Sequence, residues 1–333
     1  MAHATLKTIA EYTGLSVTTV SRALKNGDDV KEPTKQKVRE AAEKLGYAPN
    51  LQGLSLRTGR NYTIAAVVPV MKPGDVCGDI SSLPLITGLT SGLKGTPYHV
   101  CVLPAEIGDN MLEPIRYVVE SGLAGGLVFN LTKPNDPRVT YLSEHNFPFV
   151  CFGQTEMSVK HAFVDVDNFD ASYRACEYLS KQGCKRIRMI TSTKDYTYVW
   201  HKYYGMKRAA MEFGFEFSDD SLIYDSYSEN YRKFAAQLLS KPDSPDGIFC
   251  GSEVSALGFL AGARDAGRTV GKDLHLICLE GCDLPSQYLP AVPGLRQDFI
   301  GIGEQLAKFL LRIIDGEDPS KLQEIRKVEF IPR

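Results

Sequence analysis

The chain has 333 residues, more than one ordinary hydrophobic core holds, so two or three compact units are expected. Its hydrophobic fraction of 43% and charged fraction of 23% are typical of a soluble globular protein, and no apolar run approaches the roughly 20 residues that span a bilayer. A single mini-domain is excluded, and membrane insertion is not expected. The polar residues 1–5 lack the pattern of a signal peptide, which predicts a cytoplasmic protein.

The net charge of -2 hides an asymmetry along the chain. Residues 1–60 hold ten Lys and Arg against six Asp and Glu, whereas the remainder holds 28 basic and 34 acidic residues. A small basic segment therefore precedes an acidic body. This division of charge indicates that the basic segment binds a polyanion and that the acidic body has a different function.

The eight cysteines indicate buried free thiols. Most of them lie inside apolar runs such as 148–152, and no Cys-x-x-Cys pair occurs. The closest pair, Cys278 and Cys282, has no further Cys or His at zinc-ligand spacing. We therefore predict no metal site.

Two short helices joined by a tight turn are predicted in residues 5–24. Thr5 is a suitable N-cap for the first helix, which ends at Gly14, and Ser16 is a suitable N-cap for the second. The second helix, residues 17–24, buries its apolar positions Val20, Ala23 and Leu24.

A third helix is predicted after Pro33, with Thr34 as its cap and Gly46 at its end. The three helices fit a helix-turn-helix unit or an ordinary three-helix bundle. The exposed side of residues 17–24 favours the first interpretation, because hydroxyl side chains and one arginine suit phosphates and base edges.

Residues 5–24 and the sequence Leu45-Gly-Tyr-Ala-Pro-Asn50 resemble the N-terminal domain of the LacI/GalR repressor family. The resemblance implies that the second helix enters the major groove of DNA, with Val17, Thr18 and Arg22 as base readers. Arginine can bind guanine O6 and N7 bidentately, and the two methyl-bearing residues can contact thymine. By the same resemblance, the candidate phosphate contacts are Ser16, Thr19, Ser21, Thr34, Tyr47 and Asn50.

Residues 50–59 resemble the hinge helix of the same family. In that family a leucine from each subunit of a dimer wedges into the minor groove, and Leu56 holds the matching position. An alternative is that Leu56 packs onto the body. Gly53 lowers helix propensity by roughly 1 kcal/mol, so the hinge is expected to become helical only on DNA.

The body, from residue 62 onward, alternates short apolar runs with helical stretches, which predicts parallel α/β sheets. Seven strands are predicted: 64–68, 100–103, 126–129, 149–152, 187–190, 247–250 and 274–279. They fit two doubly wound subdomains, and the resemblance to the same family implies an arrangement similar to that of periplasmic binding proteins. We expect the first subdomain to comprise about 62–158 and 290–320, and the second about 159–289 and 321–333, after a head of residues 1–49 and a hinge of 50–61.

Catalytic motifs are missing from the body. No dinucleotide-binding loop, phosphate-binding loop, nucleophile elbow or His-Glu-x-x-His motif occurs. We therefore expect neither an enzyme nor a cofactor.

The body resembles the effector domain of the same family, which implies a ligand site between the two lobes. Lys202 stands three residues before Gly205, where many relatives have an arginine. The candidate effector contacts are Asp79, Gln154, Trp200, Lys202, Ser252 and Asp283. Trp200 is either an aromatic plate for a sugar ring or a core residue.

These features predict a homodimeric transcriptional repressor that binds a pseudo-palindromic operator in double-stranded DNA and responds to a small carbohydrate or related metabolite. Two alternatives are a sugar-binding protein without direct gene control and an enzyme on a doubly wound scaffold. Selection of a palindromic duplex by the protein separates the first interpretation from both alternatives.

Overall fold

The computed structural model describes residues 4–47, 53, 55, 58–70, 82–106, 110–224 and 231–333. The chain divides into two compact units, Met1–Tyr62 and Thr63–Arg333. In the described part of the chain, no helix is both long and apolar enough to cross a membrane.

The first unit contains the three predicted helices, α1 (Leu6–Thr13), α2 (Val17–Leu24) and α3 (Glu32–Lys44). Thr5 and Ser16 cap α1 and α2 by accepting hydrogen bonds from the backbone N–H groups of Thr8 and Thr19, as the sequence predicts. The third cap was predicted wrongly. Helix α3 begins at Glu32 after the extended Lys31, because proline fits the first turn of a helix and Pro33 lies inside it.

The second unit contains eight helices among the described residues. They are α4 (Ser82–Gly92), α5 (Glu113–Ser121), α6 (Pro137–Glu144), α7 (Asn168–Lys181), α8 (Thr197–Phe213), α9 (Tyr231–Leu239), α10 (Glu253–Asp265) and α11 (Phe299–Ile314). Helix α11 packs against α4 beside the first of two sheets.

Within its described ranges, the second unit also contains two six-stranded sheets. Their strands are β1 (Thr63–Val70), β2 (His99–Glu106), β3 (Gly126–Phe129), β4 (Phe149–Phe152), β5 (Phe163–Val166), β6 (Ile187–Thr191), β7 (Leu222–Tyr224), β8 (Gly247–Cys250), β9 (His275–Glu280), β10 (Gly294–Arg296), β11 (Gln323–Arg326) and β12 (Glu329–Ile331). The strand order is β11-β5-β4-β3-β1-β2 in the first sheet and β12-β10-β9-β8-β6-β7 in the second. All neighbouring strands are parallel except β10 and β12.

The expected bounds of the two subdomains, called the first and second lobes below, need correction in three places. Strand β5 extends the first sheet beyond residue 158, β10 belongs to the second sheet, and β11 returns to the first sheet. These strands are only three or four residues long, and β5 and β11 carry charged residues, so they lack the apolar runs by which the other strands were predicted. The chain therefore passes between lobes after β5, after β10 and after β11.

The cysteines in the described part of the chain are free, and Cys77 lies outside it. Five of the seven are buried, and burial raises the pKa of the Cys184 thiol to about 12. The prediction of buried free thiols is confirmed for these five, whereas Cys101 and Cys282 are half-buried.

Candidate nucleic-acid interface and ligand cleft

Helix α2 separates a buried side from an exposed side. Val20 and Ala23 are fully buried in the core of the first unit. Val17, Thr18 and Arg22 are exposed. The three predicted base readers therefore share one solvent-facing surface of a helix that the core holds in place. A guanidinium and two methyl-bearing side chains on such a surface can address base edges in a major groove.

The predicted phosphate contacts surround this exposed side to differing degrees. Ser16 is exposed, and its hydroxyl forms a hydrogen bond of 2.8 Å with that of Thr19 at the start of α2. Ser21 and Thr34 are half-buried. Tyr47 is also half-buried and packs against the core of the first unit. Asn50 and the predicted wedge Leu56 lie outside the described residues, as does the predicted effector contact Asp79.

Lys202 lies at the junction of the two lobes in the second unit. Its helix α8 approaches α7 closely because Gly205 has no side chain, and a Cβ there would come within 2.2 Å of the Phe169 carbonyl oxygen. Lys202 is 4% exposed, and its Nζ lies 4.8 Å from the ring centroid of Tyr198. Burial lowers the pKa of Lys202 to about 8, against the opposing influence of the Asp165 carboxylate. No hydrogen bond to this ammonium is formed by a described residue.

Gln154 and Asp165 form the first-lobe side of the same junction. The backbone N–H and the Nε2 of Gln154 both donate to Asp165 Oδ2, at 3.2 and 3.1 Å. Asp165 is buried in β5, and burial raises the pKa of its carboxyl group. Gln154 is therefore bound to Asp165, and its prediction as an effector contact stays a prediction. Asp165 was not predicted as a site residue, although a carboxylate between two valines in a buried strand is a signal that could have found it.

Two contacts join the lobes near this pair. The backbone N–H of Thr197 donates to the Thr132 carbonyl oxygen at 2.9 Å, and His201 Nε2 lies 2.9 Å from Glu156 Oε1. Both contacts link the loops of the first lobe to the start of α8.

Several buried polar atoms at the carboxyl ends of the strands lack a hydrogen-bond partner among the described residues. They include Asn130 Oδ1 after β3, Thr191 Oγ1 at the end of β6 and Thr197 Oγ1 at the start of α8. Buried polar atoms are rarely left unpaired, so each of these atoms calls for a water molecule or a ligand atom as its partner. Sequence reasoning missed them, although Asn130 directly follows a predicted strand.

Trp200 does not share this site with Lys202. Residues two apart on a helix point about 200° apart. Trp200 is 37% exposed and lies 6.0 and 6.5 Å, between ring centroids, from Tyr203 and Tyr204. It is therefore part of an outer aromatic surface of α8, and we do not include it in the proposed site.

The hydroxyl group of Ser252 serves the cap of α10. It accepts a hydrogen bond of 3.2 Å from the Ser255 backbone N–H, within a reciprocal capping box. Ser252 follows β8 at the carboxyl end of the second sheet, as expected, but its side chain is already engaged.

Asp283 belongs to a network of two carboxylates and two arginines. Glu280 is fully buried and pairs with Arg296 and Arg333, at 2.6 and 2.8 Å. Both arginines also contact Asp283 Oδ1 at 2.8 Å. Hydrogen bonds from Arg333, Ser286 and Arg296 lower the pKa of Asp283 to about 2. Asp283 remains exposed at the end of β9, so a ligand that binds it must share it with these arginines.

Comparisons with known proteins find two families whose models match parts of the chain. Residues 5–50 match the bacterial regulatory proteins of the lacI family, and residues 176–333 match a periplasmic binding protein-like domain. The chain is 31% identical to the HTH-type transcriptional regulator AglR of Rhizobium meliloti (strain 1021), over 98% of this chain and 93% of that protein.

Two solved structures share the fold over the full length. The lac repressor dimer bound to operator and the anti-inducer ONPF is 18% identical with a TM-score of 0.78, covering 100% of this chain and 98% of that chain. A complex of the transcriptional regulator CelR with cellobiose is 21% identical with a TM-score of 0.72, covering 99% of both chains.

Proposed function

Because the chain belongs to the lacI family of bacterial regulatory proteins, we propose that it represses transcription as a homodimer whose operator affinity is controlled by a small carbohydrate. It is a DNA-binding regulator and not an enzyme. We assign residues 1–49 to the DNA-binding head, residues 50–61 to the hinge, and the two-lobed unit that follows to effector binding and dimerisation. Binding to chromosomal DNA requires a cytoplasmic location.

The exposed side of α2 carries the proposal for DNA recognition. Val17, Thr18 and Arg22 face solvent while Val20 and Ala23 on the other side hold the helix in its core. The core needs no arginine or hydroxyl groups on that outer surface, whereas base recognition does. We assign Ser16, Thr19, Ser21, Thr34, Tyr47 and Asn50 to the phosphate backbone.

A homodimer follows from the small size of one head. A single head contacts few phosphates, so two heads on half-sites about one helical turn apart gain affinity through their linkage. The lac repressor, which shares the fold, is a dimer on its operator. We place Leu56 of each subunit in the minor groove as an unstacking wedge.

The lobe junction supports a polyhydroxylated effector. Lys202 supplies an ammonium without a hydrogen-bond partner among the described residues, and Asn130, Thr191 and Thr197 supply unpaired oxygens. Hydroxyl groups both donate and accept, so a sugar satisfies both kinds of atom. We include Gln154, Ser252, Asp283 and Asp79 at the edge of this site. The CelR structure, which has the same fold, is a complex with cellobiose.

Selection of duplexes from a random pool tests this function. At about 150 mM salt, the wild-type protein is expected to select a pseudo-palindrome, and Arg22→Ala is expected to lose the preference at one base pair of each half-site. Leu56→Ala is expected to bind the selected duplex more weakly without changing its preference. A wild-type protein that selects no sequence would favour the alternative of a sugar-binding protein without direct gene control.

A further inference from the structure

An exposed ion pair joins the proposed base reader Arg22 to the loop that follows α2. Arg22 Nη1 donates to Asp29 Oδ2 at 2.7 Å, and both side chains are more than half exposed. This is the single hydrogen bond of the Arg22 side chain within the described residues. The Nε and Nη2 edge of the guanidinium therefore makes no hydrogen bond within the described residues, and the Arg22 side chain is 60% exposed.

The backbone of the loop holds Asp29 in place. The Gly27 N–H donates to the Arg22 carbonyl oxygen at 2.9 Å, and the Val30 N–H donates to the Gly27 carbonyl oxygen at 3.1 Å. Val30 is buried in the core of the head. Asp29 is therefore anchored on both sides, next to a buried residue.

Gly27 leaves the space that the carboxylate of Asp29 occupies. A Cβ at Gly27 would lie 2.9 Å from Asp29 Oδ1 and 3.3 Å from the Arg22 carbonyl oxygen. A larger residue would push the carboxylate away from the arginine. The turn, the glycine and the buried valine together direct one carboxylate toward one end of Arg22.

We propose that Asp29 is a positioning residue that fixes the Arg22 guanidinium so that its free edge reads a guanine. This proposal rests on the proposed role of Arg22 as a base reader. The guanidinium presents its donors in a rigid fork, so a carboxylate at one end sets the direction of the other end. Without that contact the long arginine side chain is free to rotate before binding, so each binding event costs more side-chain conformational entropy.

The ion pair contributes little to the free head, because exposed pairs are screened by water. It strengthens when DNA excludes water from the surface. Asp29 also brings a negative charge near the phosphates, which weakens binding to every sequence alike. Its expected effect is therefore on discrimination between base pairs more than on total affinity.

Asp28 provides a matched control. It carries the same charge one position earlier, is exposed, and makes no hydrogen bond or ion pair within the described head. Asp28→Ala and Asp29→Ala therefore remove the same charge from the same loop, and only the second removes the contact with Arg22. Asp29→Asn keeps an oxygen that can accept from the guanidinium.

The test uses the full-length protein and the duplex that the wild type selects from a random pool. Affinities are measured for that duplex and for variants substituted at the base pair whose preference Arg22→Ala abolishes. We expect Asp29→Ala to lower discrimination at this base pair by about fivefold, Asp28→Ala to keep it, and Asp29→Asn to restore most of it. Both alanine variants should raise non-specific binding equally.

Two results would overturn the proposal. Equal discrimination by Asp28→Ala and Asp29→Ala would show that the contact does not position Arg22. Higher discrimination by Asp29→Ala than by the wild type would show that Asp29 masks the arginine. If Arg22→Ala itself keeps every base preference, the base-reading assignment is wrong, a failure distinct from the other two. Thermal unfolding of each variant verifies that the head is folded.

Discussion

Trp200 and Lys202 lie two positions apart on helix α8 and occupy opposite environments. The indole is on the outer surface beside Tyr203 and Tyr204, whereas the ammonium is buried near Asp165. Helical geometry alone requires this separation, because side chains two positions apart on a helix point about 200° apart. The two side chains can therefore be tested against each other as effector contacts.

Lys202→Met is expected to lower affinity for a cleft ligand at least about tenfold, because a hydrogen bond from a charged group is worth roughly 1.5–3 kcal/mol. Trp200→Ala is expected to change it by less than about twofold. The ligand is a carbohydrate identified by a thermal-shift screen of the wild type, and titration calorimetry gives the affinities. A larger loss of ligand affinity in Trp200→Ala than in Lys202→Met would show that Trp200, and not Lys202, is the main ligand contact.

The pH dependence of stability gives a second test of Lys202. Its pKa is about 8 in the folded protein against 10.5 as its ordinary value, so between these pH values the unfolded chain binds more protons. The destabilisation from burying the charge is complete below pH 8 and disappears as the pH rises toward 10.5.

We therefore expect Lys202→Met to raise the free energy of unfolding by about 2 kcal/mol at pH 7, and by less at pH 9.5. Urea unfolding of the ligand-free protein at both pH values measures this difference. A variant that is less stable than the wild type at pH 7 would mean that the ammonium has a stabilising partner.

Val17 and Val20 allow recognition to be separated from folding on one helix. Val17 is exposed and Val20 is fully buried. Val17→Ala is expected to change base preference by roughly 1 kcal/mol at one position while leaving the stability of the head unchanged. Val20→Ala is expected to destabilise the head by roughly 1–3 kcal/mol and to weaken binding to all duplexes alike. Duplex selection and thermal unfolding distinguish the two outcomes, and a stability loss in Val17→Ala would place this residue in the core.

Substitutions at Arg333 and Arg312 test whether the buried carboxylate of Glu280 needs both of its arginine partners for stability. Arg333→Ala removes one of two guanidinium partners from a fully buried carboxylate and should cost roughly 1–3 kcal/mol of unfolding free energy. Arg312→Ala breaks a solvent-screened pair with Glu317 and should cost clearly less than Arg333→Ala. Urea unfolding of both variants at pH 7 measures the difference, and equal costs would argue against a structural role of Arg333.

The sequence predicted those parts of the fold that depend on local pattern. Strands 126–129, 149–152 and 247–250 have the bounds expected from their apolar runs, since each is buried on both faces. Strands β5 and β11 were missed because their positions in the sheet depend on pairing with distant strands, and their charged residues break the apolar pattern.

The same distinction applies to the candidate sites. The proposed recognition surface lies on one helix. The helical period of the apolar residues therefore predicts, from the sequence alone, that Val17, Thr18 and Arg22 lie outside the core. The cleft is assembled from Asp165 and Lys202, which belong to different lobes. Periodicity along the chain carries no information about residues that meet across two lobes, and the electrostatic influence of Asp165 on Lys202 emerged only from the structure.

Operator affinity measured with and without a saturating ligand at the lobe junction tests whether that ligand controls DNA binding. The full-length protein, the selected duplex and the carbohydrate identified by thermal shift are sufficient. We predict that the ligand changes the dissociation constant of the operator complex by about 5- to 150-fold in the wild type, and that Lys202→Met loses most of this change at the same ligand concentration. If a ligand demonstrably occupies the lobe junction and leaves the operator affinity unaltered, the lobe junction does not control DNA binding.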